Sequence, residues 1–368
     1  MSLSNQEIKR YNRHIILPEI GMEGQQKLKK AKVLVVGAGG LGCSVLQYLT
    51  AAGVGTIGIC DFDFVEESNL QRQILFGNSD IGRPKAIVAS EKLRNQNSLV
   101  RFIVHNKMLT KDSALAMFEN YDIIVDGTDN FPTRFLINDA CVFLNKPYVF
   151  GAIYKFEGQV SVFNFNNGPT YRCMVPEQPD SSEIQSCASI GVIGVLPGII
   201  GCYQANEVIK MLTGIGNVLS GKLLMIDALR MDHNIISIEK SKEFSFISKL
   251  GEYGEFCHAN NSGINQISPS ELYQKMKEEK ISVVDIRESR LHDLYHIESK
   301  HIDISLILEN PDLIPDNQQV VIVCEGGIKS TEIIEELKKS GKKQNLYSLE
   351  GGMQAWIKSN LPVITNKS

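Results

Sequence analysis

Gly37-Ala38-Gly39-Gly40-Leu41-Gly42 is a glycine run in GxGxxG spacing, and the chemistry open to it is the holding of phosphate. With no side chains at Gly37, Gly39, Gly40 and Gly42, backbone N–H groups reach phosphate oxygens at a helix N-terminus, where the dipole favours negative charge. Asp61 follows the next apolar run, at the distance where an acidic residue meets the ribose hydroxyls of a nucleotide. The plainer reading is a tight turn packing helix on strand; Asp61 tips it towards a nucleotide site without choosing between NAD and ATP. Of eight cysteines, none forms a CxxC pair. Most lie in apolar runs as small buried hydrophobes, but Cys187 and Cys324 stand beside small or polar loop residues. Cys187 precedes a Gly-rich helical stretch whose dipole would favour its thiolate; the plainer reading is an inert cap. Cys324 ends an apolar run and opens Glu325-Gly326-Gly327, where converging N–H groups would stabilise a thiolate or persulfide.

The elements that must position these groups follow from periodicity. Lys32–Gly37 is a short β-branched run, Leu41–Ala52 has helical spacing and Thr56–Cys60 is a second strand, which makes a βαβ unit. Strands at Val100–Val104 and Asp122–Val125 alternate with helices at Lys85–Asn95 and Lys111–Asn120. The fold class is therefore α/β: a Rossmann-like, doubly wound, mostly parallel sheet covered by helices on both faces. Tyr148–Phe165 alternates around glycines and predicts antiparallel additions. Gly191–Leu212 reads as an apolar helix and Lys222–Ile226 with Ile235–Ile238 as closing strands. The first domain spans 1–240. Residues 241–266, aperiodic and rich in Ser, Asn and Gly, read as a linker. In 267–368 a helix from Pro269, strands at Ser282–Ile286, Gln319–Cys324 and Asn345–Leu349, and a helix at Lys329–Ser340 predict a second, smaller α/β domain. A length of 368 residues suits two or three domains, and two are read here.

The segments around the glycine run decide the nucleotide. They are Asp61-Phe62-Asp63, Ser68-Asn69-Leu70-Gln71-Arg72-Gln73, Gly82-Arg83-Pro84-Lys85-Ala86 and Asp126-Gly127-Thr128-Asp129-Asn130, with Arg10-Tyr11-Asn12-Arg13 before them and Gly151-Ala152-Ile153-Tyr154 after. Over about Ile8–Lys240 the chain resembles the MoeB/ThiF/HesA family of ubiquitin-activating-type adenylyltransferases. The resemblance implies ATP rather than NAD, and adenylation of the C-terminal glycine of a β-grasp, ubiquitin-like sulfur carrier of the MoaD or ThiS type ending in Gly-Gly. It places Asp63, Gln73 and Asn130 in the nucleotide site with the glycines and Asp61. The chemistry agrees: a carboxylate attacking an α-phosphate brings two anions together, so the site needs cations and a metal. Arg13, Arg72 and Lys85 supply charge, Asn69 orients phosphate or ribose, and Asp129 at a strand's carboxyl end suits Mg²⁺. Turn and strand-cap roles compete for Asn69 and Asp129. In the family the arginine matching Arg13 crosses a homodimer interface, and the cysteine matching Cys187 forms a transient acyl or disulfide link.

Val283-Val284-Asp285-Ile286-Arg287-Glu288, His296-Ile297, the Cys324–Ser330 loop and Leu349–Trp356 resemble a rhodanese domain over Ile267–Val363. This implies that Cys324 carries a sulfane sulfur supplied by a desulfurase or thiosulfate, so that a thiocarboxylate is made for molybdopterin or thiamine synthesis. Lys329 stands where an arginine is common, keeping charge but losing the bidentate fork. Many family members hold zinc with two CxxC pairs; here only Cys173 falls in the first, at Thr170–Cys173, and the second falls on Ser245–Ser248, so no zinc is predicted. A net charge of −4 gives no footprint for nucleic acid. No apolar run spans a membrane and the start lacks a signal peptide's core, which places the chain in the cytoplasm. Three alternatives stay open: a dinucleotide oxidoreductase, a carrier-binding module without sulfur transfer, and an adenylating enzyme for another carboxylate.

Overall fold

The structure is a computed structural model that describes residues 2–179, 191–251, 253, 264–278, 281–315, 319–339, 341 and 345–365. The chain forms two compact units, Met1–Gly254 and Glu255–Ser368.

In the first unit, helices α1 (Asn5–Arg10), α2 (Asn12–Ile15) and α3 (Gly21–Lys30) lead into β1 (Lys32–Val36). There follow α4 (Gly40–Ala52), β2 (Thr56–Cys60), α5 (Lys85–Gln96), β3 (Arg101–His105), α6 (Lys111–Phe118), β4 (Ile123–Asp126) and α7 (Phe131–Phe143). The unit closes with β5 (Tyr148–Tyr154), β6 (Glu157–Phe163), α8 (Leu196–Thr213), β7 (Lys222–Asp227) and β8 (Asp232–Ser237). The strands lie in the order β3-β2-β1-β4-β5-β6-β7-β8, parallel through β5 and antiparallel beyond it. Apart from Lys32 at the start of β1 and Asp126 at the end of β4, the two strands are apolar and buried because helices cover both of their faces. Val33 and Val35 pack into one core with Val45 and Leu49 of α4, while Leu34 and Val36 pack into another with Phe118, Phe135 and Tyr171. The chain winds from β1 towards β3 on one side and from β4 towards β8 on the other. The carboxyl ends of β1 and β4 thus flank the switch point where α/β sheets form a ligand crevice.

Three expectations differ from what is found. The apolar helix begins at Leu196, not near Gly191: Val192 bridges to Lys155, and Pro197 in the first turn suits a helix start there. Helix α7 carries no counterpart in the periodicity reading. Residues 241–251 do not run free as a linker. Leu250 is buried in the core beneath β4, and the Tyr253 hydroxyl donates to Asp139 Oδ2 at 2.8 Å. That stretch lacks periodicity because its one regular element is the short 3₁₀ turn Glu243–Ser245, and side-chain hydrogen bonds and the burial of Leu250 hold the rest.

The second unit has β9 (Asn265–Ile267), α9 (Pro269–Lys277), β10 (Ser282–Asp285), α10 (Ser289–Leu294), β11 (Lys300–His301), α11 (Ile304–Glu309), β12 (Val320–Val323), α12 (Ile328–Lys339), β13 (Leu346–Leu349) and α13 (Gly352–Lys358). Its five strands are all parallel, in the order β11-β10-β12-β13-β9. Central β12 is buried throughout, Val320 and Ile322 facing one core and Val321 and Val323 the other. Cys324 leaves its carboxyl end. Among the described residues no helix is long and apolar enough to cross a membrane.

Candidate active sites

The loop from β1 to α4 is drawn tight by the strands beside it. The Ala38 N–H donates to Asp61 Oδ2 at 2.7 Å and the Asp63 N–H to Asp61 Oδ1 at 2.8 Å. Burial pushes the Asp61 carboxyl above its ordinary range, opposed by Lys85 and these two N–H groups. The four glycines have different reasons to be glycine. A Cβ on Gly37 (φ +93°) would sit 2.6 Å from the Gly127 carbonyl oxygen, and one on Gly42 would strike the Gly37 carbonyl oxygen. One on Gly40 would meet Pro197 of α8 at 2.8 Å. At Gly39 the nearest atom is Gln73 Nε2 at 3.8 Å, so protein packing does not exclude a side chain there, whereas an approaching phosphate would.

Around this loop the structure gathers most of the polar residues expected from sequence. Lys85, at the start of α5, is buried and its ammonium lies 3.1 Å from Asp63. Asn69 ends a 3₁₀ turn (Glu67–Asn69) and is buried; its carbonyl accepts from the Arg72 and Gln73 N–H groups. Arg72 Nη1 donates to the Ser68 carbonyl at 3.0 Å. Gln73 is buried, and its Oε1 has no hydrogen-bond partner. An orphaned buried acceptor beside an open glycine is what a site shaped for a polar ligand shows. On the adjoining loop Asn130 caps α7 by accepting from the Thr133 N–H at 2.9 Å. Asp129 is exposed and makes no hydrogen bond or ion pair with the described residues, an oxygen donor of the kind Mg²⁺ takes. Asp126, wholly buried, leaves Oδ2 without a hydrogen bond, facing Arg134 Nε at 3.8 Å. Arg13 is not drawn into this cluster: it is exposed on α2, with no polar partner among the described residues. Cys187 lies outside the described residues.

Sequence reasoning missed Asp126 as more than a strand end, and missed Arg134 and Gln204. The one available signal was the Asn-x-Pro start of α7, which fixes Arg134 on its first turn.

Cys173, the one cysteine of the Thr170–Cys173 segment, is held by hydrogen bonds. Its Sγ accepts from the Thr170 N–H at 3.3 Å and the Ser241 N–H at 3.4 Å, while Thr170 Oγ1 donates to the Phe244 carbonyl. Hydrogen bonds thus join the two segments that a metal would staple, and serines at 245 and 248 supply no sulfur ligands. Among the described residues no group of three or more His, Cys, Asp or Glu is set to hold a metal.

In the second unit Cys324 is buried, and its Sγ accepts from the Gly327 N–H at 3.1 Å and the Ser330 N–H at 3.4 Å, with Ser330 Oγ at 3.3 Å. Gly327 holds φ +84°, and a Cβ there would meet Gly351 N at 2.9 Å. Glu325 is pinned: Arg287 Nη1 donates to Oε2 at 3.1 Å and the Tyr295 hydroxyl to Oε1 at 2.8 Å. Arg287 itself forks onto Asp285. Lys329 is exposed. Beside Arg287 three imidazoles stack, His292 lying 4.3 Å from His296 and 4.5 Å from His301 between centroids. The His301 Nε2–H donates to the Arg287 carbonyl at 2.7 Å, and His292 Nε2 is unpaired.

Burial, with His296, His301 and Arg287 as neighbouring positive or protonatable groups, holds the His292 pKa below its ordinary range despite Asp285. The neutral ring is therefore favoured in the folded state. Its contribution is fully present above about pH 6.5, the unfolded value, and is lost as pH falls below that until the folded pKa is passed. Calorimetry of the full chain between pH 7.5 and 5.5 is expected to show this unit's midpoint falling by roughly 4–8 °C per kcal/mol lost. His292→Phe, which keeps a ring in the stack, is expected to flatten that fall.

Two α/β units, one with a mixed sheet and a phosphate-type glycine loop at its switch point and one with a parallel sheet and a thiol in an N–H cradle, define a nucleotide-using enzyme joined to a thiol-centred transferase. The ThiF family pattern matches residues 11–245 and the rhodanese-like domain pattern residues 268–359. The chain belongs to the ThiF family and carries a rhodanese-like domain; its enzymatic class is adenylyltransferase and sulfurtransferase. It is 42% identical over 376 residues to the probable adenylyltransferase/sulfurtransferase MoeZ of Mycobacterium tuberculosis, covering 98% of this chain and 95% of that one. It is 49% identical over 268 residues to the sulfur carrier protein adenylyltransferase of Thermus thermophilus, covering 70% and 99%. The adenylyltransferase and sulfurtransferase MOCS3 of Aedes aegypti is 38% identical, over 96% and 87%. The structure of E. coli MccB with ATP superposes with a TM-score of 0.58 at 23% identity, over 66% of this chain and 73% of that one, which speaks to the fold. An adenylyltransferase of this family uses ATP.

Proposed function

We propose that the chain adenylates the C-terminal glycine of a β-grasp, ubiquitin-like sulfur carrier and then sulfurates it from a persulfide on Cys324. The observation that carries this is the Cys324 cradle, two N–H groups and a hydroxyl on one sulfur, in the same chain as a nucleotide crevice. The relatives' names support the carrier. In the first unit Gly39 and its neighbours would receive phosphate, Asp61 the ribose, and Lys85, Arg72 and Arg13 the growing negative charge, Arg13 from the second copy of a homodimer. Mg²⁺, held by Asp129, would neutralise phosphate charge. Asn69, Gln73, Asp63 and Asn130 orient the nucleotide and its loops. The reading needs no structural zinc, since Cys173 by itself cannot make a tetrahedral sulfur site.

The carrier carboxylate attacks the α-phosphorus, a P–O bond forms and pyrophosphate leaves with the bond it held. The outer sulfur of the Cys324 persulfide, loaded from a desulfurase or thiosulfate, then attacks the acyl carbonyl and AMP leaves, giving an acyl disulfide. A thiolate, for which Cys187 is the candidate, attacks the Cys324 sulfur and the thiocarboxylate leaves. The disulfide formed is returned to two thiols by an external dithiol. The product would serve molybdopterin or thiamine synthesis. Intact-mass measurement of a Gly-Gly carrier incubated with the protein, Mg-ATP, a sulfur donor and a dithiol is expected to show replacement of one oxygen by sulfur. A carrier that binds yet keeps its mass would leave a binding module instead.

A further inference from the structure

We propose that Arg134 is a positioning residue for adenylation, locking the loop that presents Asp129; this rests on the role given to Asp129 above. The loop is fixed on both sides of that residue. The Thr128 N–H and hydroxyl donate to Asp126 Oδ1 at 2.9 and 2.6 Å, and the Thr128 carbonyl accepts from Arg134 Nη2 at 3.1 Å. Further back, Gln204 Nε2 donates to the Asp126 carbonyl at 2.6 Å; further on, Asn130 caps α7. With residues 126, 128 and 130 tied, Asp129 is the side chain of the loop left exposed and without a partner among the described residues.

Arg134 reaches this position as no other residue type would. Its guanidinium lies 5.4 Å from the Phe150 ring centroid and 5.7 Å from that of Phe131, which fixes the plane of the fork. In that plane Nη2 reaches Thr128 while Nε stands 3.8 Å from Asp126 Oδ2, close enough for charge compensation but not for a hydrogen bond. Both Nε and Oδ2 lack hydrogen-bond partners. Lysine would keep the charge opposite Asp126 but lose the fork and the stacking face, which separates the positioning role from mere neutralisation.

Arg134→Lys is therefore the test, with Asp129→Asn alongside. The lysine variant is expected to fold, to keep its KM for ATP within about threefold, and to lose ~10–100-fold in kcat of carrier-dependent ATP–pyrophosphate exchange, the cost of misplacing a reacting group by about an ångström. Calorimetric titration with ATP in the absence of carrier gives a readout free of turnover: the Mg²⁺ concentration needed for half-maximal binding is expected to rise about tenfold. A folded lysine variant with wild-type kcat and Mg²⁺ dependence, while Asp129→Asn loses both, overturns the positioning role alone. Should Asp129→Asn itself match wild type, the role of Asp129 fails first. If the lysine variant does not fold, Asp126→Asn with Arg134→Gln removes both buried charges together and is read in the same way.

Discussion

Cys324→Ala is expected to lower sulfur transfer to the carrier by on the order of 10³-fold or more, the scale on which enzymes lose activity with their nucleophile, while ATP–pyrophosphate exchange stays at the wild-type rate. The first half follows from the cradle. Gly327 and Ser330 aim their N–H groups at one buried sulfur, and the Ser330 hydroxyl is held for it by Ser348 Oγ at 2.7 Å. Such groups stabilise a thiolate or persulfide and have no other sulfur to serve. Four cysteines of the first unit are ill fitted to replace it by acidity: burial pushes Cys43 and Cys60 up to about 12 and raises Cys141 and Cys202 as well. The second half follows from the division into units, since Cys324 belongs to one compact unit and the glycine loop to the other. Cys324→Ser should behave like alanine, because a hydroxyl fills the cradle but carries no sulfane sulfur. Intact mass of the carrier reads the first activity and isotope exchange the second. Thiocarboxylate formed at the wild-type rate by either variant would place the sulfur elsewhere.

Legibility of this fold from sequence followed burial. β1, β4 and β12 stand out as β-branched runs because central parallel strands are covered on both faces, and no polar alternation interrupts them. β9 does not stand out: three residues at a sheet edge carry no period, and their stretch reads as linker. Helix α7 hides behind Pro132, which marks a turn as readily as a first helical turn; the Asn130 cap decides it only once seen in place. The candidate sites divide in the same way. Glycines, Asp61 and Cys324 are local signals, a loop bound to the strand before it. Asp126, Arg134 and Gln204 act through partners up to 78 residues apart, and the stack of His292, His296 and His301 joins a helix, the loop after it and a strand. These are products of tertiary placement. Arg13 illustrates the opposite case: its type and motif are legible, but it has no polar partner among the described residues.

The glycine loop yields the sharpest division between what holds the fold and what holds the ligand. Gly42→Ala is expected to abolish folding of the first unit. Its methyl would strike the Gly37 carbonyl oxygen and lie 2.8 Å from the carbonyl carbon. Neither side can retreat, because Gly37 is braced against Gly127 and α4 is packed along α8, where Gly201 already lies against the Leu41 carbonyl. Overpacking against backbone on both sides costs more than the ~1–3 kcal/mol of an ordinary core insertion. Gly39→Ala should do the reverse. Gly39 has φ −77° and ψ −152°, open to any L-residue, and its methyl would make only ordinary contact with Gln73. The folded state should keep its melting temperature. The methyl would instead stand where backbone N–H groups meet phosphate, and losing one charge-assisted hydrogen bond, worth ~1.5–3 kcal/mol, weakens ATP binding about 10–150-fold. Thermal melts and calorimetric titration with a non-hydrolysable ATP analogue separate the two. A Gly39→Ala protein that melts and binds as wild type would make the run a packing turn, and the phosphate site would have to be sought on the Asp126–Asn130 side of the crevice.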